Sequence, residues 1–256
     1  MIFTDTHTHL YSDAFADDRK ETINRAIANG VTRFFIPAID SSYTNAMYEL
    51  ESEFPDNIFL MMGLHPTDVK PETYKSELAF VEKELERRKF YAVGEIGIDL
   101  YWDKSTLQIQ QEAFQYQIQL AKKYKLPINI HCRDAFDEVF EVLEKEKGDD
   151  LRGIFHCFTG TQEQAEKAIS YNLKLGIGGV STFKNGQIDK FLNKISIVDI
   201  VLETDSPYLA PVPFRGKRNE SAYIVHIAEK LADIYGLSLA EIAKQTTANS
   251  QAVFGI

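Results

Sequence analysis

The sequence predicts a (β/α)₈ barrel, on three observations. Eight short apolar runs are spread along the chain, and amphipathic stretches of helical period fill the intervals between them. No glycine-rich loop follows the first run, which ends instead in Thr6-His7-Thr8-His9. Alternating strand and helix signals imply parallel strands with helices outside. Eight of them favour a barrel over an open doubly wound sheet, whose first turn would carry glycines. A length of 256 residues suits one barrel domain over residues 1–256.

In chain order, the expected strands are Ile2–Thr6, Val31–Ala38, Ile58–Gly63, Tyr91–Ile96, Pro127–His131, Gly153–Phe158, Leu173–Gly178 and Ile200–Thr204. The first helix, Asp18–Asn29, stops at Gly30, a residue suited to the left-handed position after a helix. Ser42–Phe54 stops before Pro55. Glu72–Arg88 places Leu78, Val81 and Leu85 on one face, and Leu107–Tyr124 does the same with Ile109, Ala113, Tyr116 and Leu120. Ala135–Glu146 and Thr161–Tyr171 follow the fifth and sixth strands, Gln187–Ile195 precedes the eighth, and Tyr223–Tyr235 and Leu239–Phe254 end the chain. The connection Ser206–Asn219, with three prolines and Gly216, is long for a barrel, and long loops in compact domains are often functional.

Composition narrows the function. Lys plus Arg number 28 and Asp plus Glu 38, a net charge of −10, which argues against broad coating of nucleic acid or of an anionic membrane. Two cysteines are too few for a disulfide framework. The N-terminus lacks the pattern of a signal peptide and no segment is apolar for long enough to suggest a membrane span, so a cytoplasmic protein without membrane association is expected.

The chemistry-bearing residues fall at strand ends. His7 and His9 end the first strand two residues apart, where side chains share a face. His65 follows the third strand, and Glu95, His131, His156 and Asp205 end the fourth, fifth, sixth and eighth. In a barrel all these ends meet at one mouth, where active sites are built. Four histidines and two carboxylates exceed the needs of one tetrahedral ion, so two divalent metals are expected, with Glu95 able to bridge them. Left without metal, so many buried polar groups would be costly. Histidine-rich ligation favours zinc, manganese, iron or nickel over magnesium. Cys132 and Cys157 should turn toward the helices as buried packing residues. Glu203 shares the face of Asp205, either supporting the site or packing inside the barrel, and His226 lies apart on a helix.

Together these motifs resemble the TatD family of metal-dependent hydrolases. The resemblance runs from Thr4-Asp5-Thr6-His7-Thr8-His9-Leu10 through Gly63-Leu64-His65-Pro66, Gly94-Glu95-Ile96-Gly97-Ile98-Asp99, His131-Cys132-Arg133-Asp134-Ala135 and His156-Cys157-Phe158-Thr159-Gly160 to Glu203-Thr204-Asp205-Ser206-Pro207. Arg215-Gly216-Lys217-Arg218-Asn219-Glu220 follows. It implies one ion on His7, His9 and Asp205, a second on His131 and His156, and Glu95 between them. It also implies 3′→5′ deoxyribonuclease action on single-stranded ends, associated with magnesium, and a phosphate-handling role for His65. Ser221 stands where the family usually has proline, and its flexibility is expected to loosen the end of the long loop.

The mechanism expected is attack of water on a phosphodiester, with Asp205 as general base and with the metals and His65 stabilising charge on the phosphoryl oxygens. Arg133 and Arg215 are the expected substrate contacts, with Lys217 and Arg218 beside them at the mouth, and Tyr101 and Trp102 could stack on bases. DNA is the expected partner, and no obligate protein partner is evident. Two other readings remain at this stage: a hydrolase of other ester or amide bonds, and a non-catalytic binding barrel. No lysine ends the fourth or fifth strand, where a carboxylated lysine would bridge two metals in many relatives of the first kind.

Overall fold

Eight parallel strands pair in strict chain order in a computed structural model that describes all 256 residues. They are β1 (Phe3–Asp5), β2 (Val31–Ile36), β3 (Ile58–Met62), β4 (Ala92–Asp99), β5 (Ile128–Arg133), β6 (Gly153–Phe155), β7 (Leu173–Ile177) and β8 (Ile200–Leu202). The ring is drawn together between its first and last strands. The Thr6 amide donates to the Leu202 carbonyl at 3.0 Å, and the Asp205 amide donates to the His7 carbonyl at 2.9 Å. The barrel expected from the sequence is therefore the one observed.

Strand alternation sorts the buried side chains into two sets. Phe34, Leu60, Ile130, Phe155 and Leu202 point outward into the layer between strands and helices. Phe35, Met61, Ala92, Ile154 and Val201 form a separate apolar cluster, closed by Val253 and Phe254 at the chain's end, with Phe35 and Phe254 stacked at 3.6 Å. Two or four residues further along the chain from two of these strands, β6 and β8, the same face carries His156, Glu203 and Asp205; on β5 it carries Asn129 and His131. One face of each strand is thus apolar at the bottom of the barrel and polar at its mouth.

The helices are α1 (Arg19–Ala28), α2 (Thr44–Glu53), α3 (Tyr74–Arg87), α4 (Leu107–Tyr124), α5 (Phe136–Lys145), α6 (Gln162–Ser170), α7 (Ile224–Tyr235) and α8 (Leu239–Phe254). Capping boxes start α6 at Thr161 and Gln164 and α8 at Ser238 and Glu241. Gly30 takes a φ of 89° after α1, as expected of a glycine there. No helix is long and apolar enough to cross a membrane.

Three expectations are corrected. The segment 187–195 is not an α-helix but two 3₁₀ turns, Ile188–Lys190 and Leu192–Lys194. Ile188, Phe191, Leu192 and Ile195 are all buried with helical spacing, but Phe191 takes a φ of −131°, outside the helical range, and divides the stretch. On α4 the buried face is wider than the apolar one read in the sequence. Ala113 and Leu120 are buried as expected, Gln110, Phe114, Gln117, Ile118 and Ala121 are buried with them, and Ile109 and Tyr116 lie at the margin. Finally, Ser221 does not loosen the long loop: it is fully buried, and its hydroxyl lies 3.3 Å from that of Thr8.

Candidate metal centre

The mouth of the barrel opens on a cavity of about 690 Å³, and His9, His65, Glu95, His131, His156 and Asp205 are all in its wall. His7 lies directly beneath, fully buried. Glu95 occupies the middle. Its Oε2 is 3.2 Å from His7 Nε2 and 3.8 Å from His9 Nε2, and its Oε1 is 2.8 Å from His131 Nδ1 and 3.6 Å from His156 Nε2. Asp205 Oδ1 lies 3.4 Å from His9 Nε2 and 3.8 Å from His7 Nε2.

Local backbone features create this convergence. β4 approaches β5 so closely at Gly97, whose φ is 146°, that a Cβ there would fall 1.9 Å from the His131 carbonyl oxygen. Asp205 and Cys157, each just past a strand end, adopt positive φ of 56° and 43°. Such conformations cost non-glycine residues energy and gather at functional sites, where they re-aim a side chain.

Each inward-facing histidine is held from behind by its other ring nitrogen. His7 Nδ1 meets Asn129 Oδ1 at 2.8 Å, His131 Nε2 meets Asp99 Oδ2 at 2.9 Å, and His156 Nδ1 lies 2.9 Å from Glu203 Oε1. His9 Nδ1 meets the Tyr11 hydroxyl at 2.9 Å. At His7 and His131 an amide oxygen and a carboxylate accept from the rear nitrogen and leave the other for a metal, which is how metal-binding imidazoles are oriented. At His156 the contact with Glu203 is an ion pair outside hydrogen-bond geometry, and at His9 the Tyr11 hydroxyl can donate or accept. His65 is wired the opposite way. The Thr67 amide donates to His65 Nδ1 at 3.2 Å, so in the neutral ring the proton sits on Nε2, which faces Glu95 Oε1 at 3.4 Å. With Nδ1 accepting from that amide, His65 offers the cavity a donor at Nε2, which also lies 3.3 Å from His131 Nδ1. His65, Glu95 and His131 form a further set of donor atoms within 4.8 Å of one another.

The electrostatics match. Burial works against ionisation of Glu95, but His7, His65 and His156 outweigh it and hold the carboxyl well below its usual range. Burial likewise opposes protonation of His156, yet Glu203 and Glu95 overcome it and push the imidazole up to about 10. At His7 burial prevails and lowers the pKa. Burial also opposes protonation of His131, but Asp99 and Glu95 outweigh it and raise the pKa. Without metal the carboxylates of the centre are thus balanced by protons on His156 and His131 that a metal would displace.

These residues fit a divalent metal. Two nitrogens bound to one ion at about 2.0–2.1 Å stand roughly 3 Å apart, and His7 Nε2 and His9 Nε2 are separated by 3.2 Å. Buried sets of His7, His9 and Glu95, and of His7, His156 and Asp205, each bring their donor atoms within 4.8 Å of one another. Asn129, Asp99 and Glu203 supply the outer support that such ligands need.

A family model described as TatD related DNase matches residues 4–255. The chain belongs to the TatD family. It is 40% identical, over the full length of both chains, to an uncharacterized metal-dependent hydrolase of Bacillus subtilis, YabD. It is 34% identical to the 3′-5′ ssDNA/RNA exonuclease TatD of Salmonella typhimurium, with 98% of each chain covered. Among solved structures, a TatD homologue of Escherichia coli K12, YJJV, superposes with a TM-score of 0.93 at 28% identity, covering 99% of this chain and 98% of the other. This TatD-family chain is accordingly a metal-dependent hydrolase.

Three residues of the TatD site escaped the sequence reading. Asp99 is the last residue of β4, three beyond the end expected at Ile96, and Asn129 lies inside β5, so neither ends its apolar run. Tyr11 lies outside any strand, so alternation gave no signal for it. Glu203 resolves as the support of His156, and it also accepts the Cys157 amide at 2.7 Å. The cysteines are corrected: both are half-buried and reach the cavity wall. Cys132 does pack on the outer core, but β6 ends at Phe155, so alternation no longer governs Cys157. Burial raises both thiols, Cys132 to about 12, so they stay neutral.

The basic loop is also placed differently from expectation. Arg133 is the only Lys or Arg in the cavity wall. Arg218 is tied to Asp18 at 2.6 Å and to Glu220 at 3.0 Å, and Arg215 lies over the Phe183 ring at 3.5 Å. Lys217 is exposed and outside the cavity wall. His226 pairs with Glu229 on α7, away from the site.

Proposed function

We propose that the chain is a cytoplasmic deoxyribonuclease that removes nucleotides in the 3′→5′ direction from single-stranded ends. The observation that carries this reading is the contrast between His65 and the other cavity histidines: one imidazole presents a proton beside a set built to present lone pairs. Phosphodiester hydrolysis needs both, a donor for the phosphoryl oxygen and ligands for a metal. The name of the Salmonella relative, a 3′-5′ ssDNA/RNA exonuclease, supports the choice of nucleic acid, and the single rim cation, Arg133, suits a substrate phosphate.

His7, His9 and Asp205 would hold one divalent ion and His131 and His156 a second, with Glu95 shared. Magnesium, manganese, zinc and nickel are the candidates. Bound there, the ions would polarise the phosphoryl oxygens and increase the acidity of water. Asp205, whose carboxyl is held below its ordinary range by His9 and His156 against the effect of burial, accepts the proton of the attacking water. The His65 Nε2–H donates to a phosphoryl oxygen as charge develops on it. Water adds to phosphorus, the P–O3′ bond breaks, and the proton taken by Asp205 passes to the departing 3′ oxygen.

The test is a substrate panel offered to metal-loaded protein: single-stranded DNA, duplex DNA, single-stranded RNA, carboxyl esters and amides. Stepwise shortening of single-stranded DNA is the expected result. Turnover of esters or amides alone would replace this reading with that of a different hydrolase on the same barrel.

A further inference from the structure

The chain contains 17 Phe, 12 Tyr and one Trp. Only four of these rings are exposed: Tyr43 at 40%, Tyr101 at 53%, Trp102 at 71% and Tyr208 at 58%. All four sit on loops that follow the C-terminal ends of strands β2, β4 and β8, around the mouth. Apolar rings left in water elsewhere on the molecule would be unremarkable singly. Their confinement to the rim of the catalytic cavity is a feature of the site.

The rings form two walls of different chemistry on opposite sides of the barrel. On the β8–β1–β2 side, Tyr208 lies 5.9 Å from the His9 ring, and Tyr43 lies 5.3 Å from Tyr11. No Lys or Arg lines this wall, and Asp40 is close enough to act on the Tyr11 phenol. On the β4–β5 side, the Arg133 guanidinium is stacked over Tyr101 at 3.6 Å and stands 5.6 Å from the centroid of Trp102. No carboxylate pairs with Arg133 within 4.0 Å, so its charge is available to a ligand. The metal ligands lie between the walls.

We infer that the two walls are base-stacking subsites flanking the scissile phosphate, and that their charge difference sets the direction of the strand. This inference rests on the nuclease reading. A nucleoside on the polymer side of the cut carries a further phosphate, whereas the terminal nucleoside carries a free hydroxyl and none. The cationic wall of Tyr101, Trp102 and Arg133 therefore takes the penultimate nucleotide and its 5′ phosphate. The uncharged tyrosine wall takes the terminal base. Stacking on a wall needs a base with a face not covered by its neighbour in a duplex, so the same arrangement selects single strands.

The test is a pairing of variants with modified substrates. Trp102→Ala and Tyr208→Ala, both at exposed positions, are assayed on single-stranded oligonucleotides that are intact, abasic at the terminal nucleotide, or abasic at the penultimate one. On intact strands each variant is expected to raise KM at least about fivefold. The loss in Trp102→Ala should disappear when the penultimate base is missing, and the loss in Tyr208→Ala when the terminal base is missing. Reversed pairing would overturn the assigned direction. Unchanged KM in both variants, with wild-type protein cleaving normally, would overturn the stacking walls and leave the nuclease reading standing. Wild-type protein that cleaves no oligonucleotide would overturn both.

Discussion

At the scale of single residues, the site is a set of imidazoles whose protons have been assigned from behind. Asp99 illustrates the dependence. Its carboxylate fixes the tautomer of His131, so Asp99→Asn is expected to weaken metal binding about 10–100-fold with little change in fold, as measured by competition with a chromogenic chelator. His156 supplies a second prediction. In the metal-free protein its pKa lies near 10, above the ordinary histidine value, so the ring is protonated at pH 7 and must lose that proton to become a ligand. Metal loading at pH 7 should release protons, and apparent affinity should rise with pH. Calorimetric titration in buffers of different ionisation enthalpy reads the proton count, and an enthalpy independent of buffer would contradict this account. Most of this was legible in the sequence because His7, His9, Glu95, His131, His156 and Asp205 each close or follow an apolar run, although β4 continues past Glu95 to Asp99 and β5 past His131 to Arg133. Asp99 and Asn129 were not, because Asp99 lies beyond the expected end of its run and Asn129, inside a strand, has the same local pattern as any buried polar group.

At the scale of elements, α4 does more than cover the barrel. Gln117 accepts the Leu64 amide at 2.7 Å and donates to the Leu64 carbonyl at 3.2 Å, immediately before His65. Seven residues earlier, Gln110 accepts the Asp99 amide at 2.8 Å and donates to the Asp99 carbonyl at 3.1 Å. One helix thus clamps the backbone of two strand ends that carry His65 and the support of His131. These contacts explain why the helix face read from apolar spacing was incomplete: a glutamine is buried when its amide completes a main-chain pair, and periodicity sees only its polarity. Gln117→Leu keeps the volume but leaves a buried amide and carbonyl unpaired. It should cost at least about 2 kcal/mol by denaturant unfolding, and should slow turnover through the displaced His65. Unaltered stability would remove the clamp from the account. In the segment 187–195 the buried positions have helical spacing, but the backbone turns out of the helical range at Phe191, which spacing does not register.

At the scale of the whole molecule, the barrel topology followed from the count and order of apolar runs, which is a global property that errors at element ends do not disturb. The net charge of −10 acquires a sharper meaning in the structure. Of the basic residues expected at the mouth, Arg218 is spent on Asp18 and Glu220, and Arg133 alone reaches the cavity. Binding of DNA should consequently be weak and should depend on the divalent metal rather than on a basic surface. Tight binding in the presence of chelator, measured by fluorescence anisotropy, would contradict that. The central claim, phosphodiester hydrolysis at this metal centre, is tested most directly by following 5′-end-labelled single-stranded DNA on a sequencing gel while divalent metal is titrated into chelator-stripped protein. The account predicts a ladder that shortens one nucleotide at a time, appears only as metal is restored, and is abolished in Asp205→Ala. A ladder of equal intensity in stripped protein or in Asp205→Ala would contradict it.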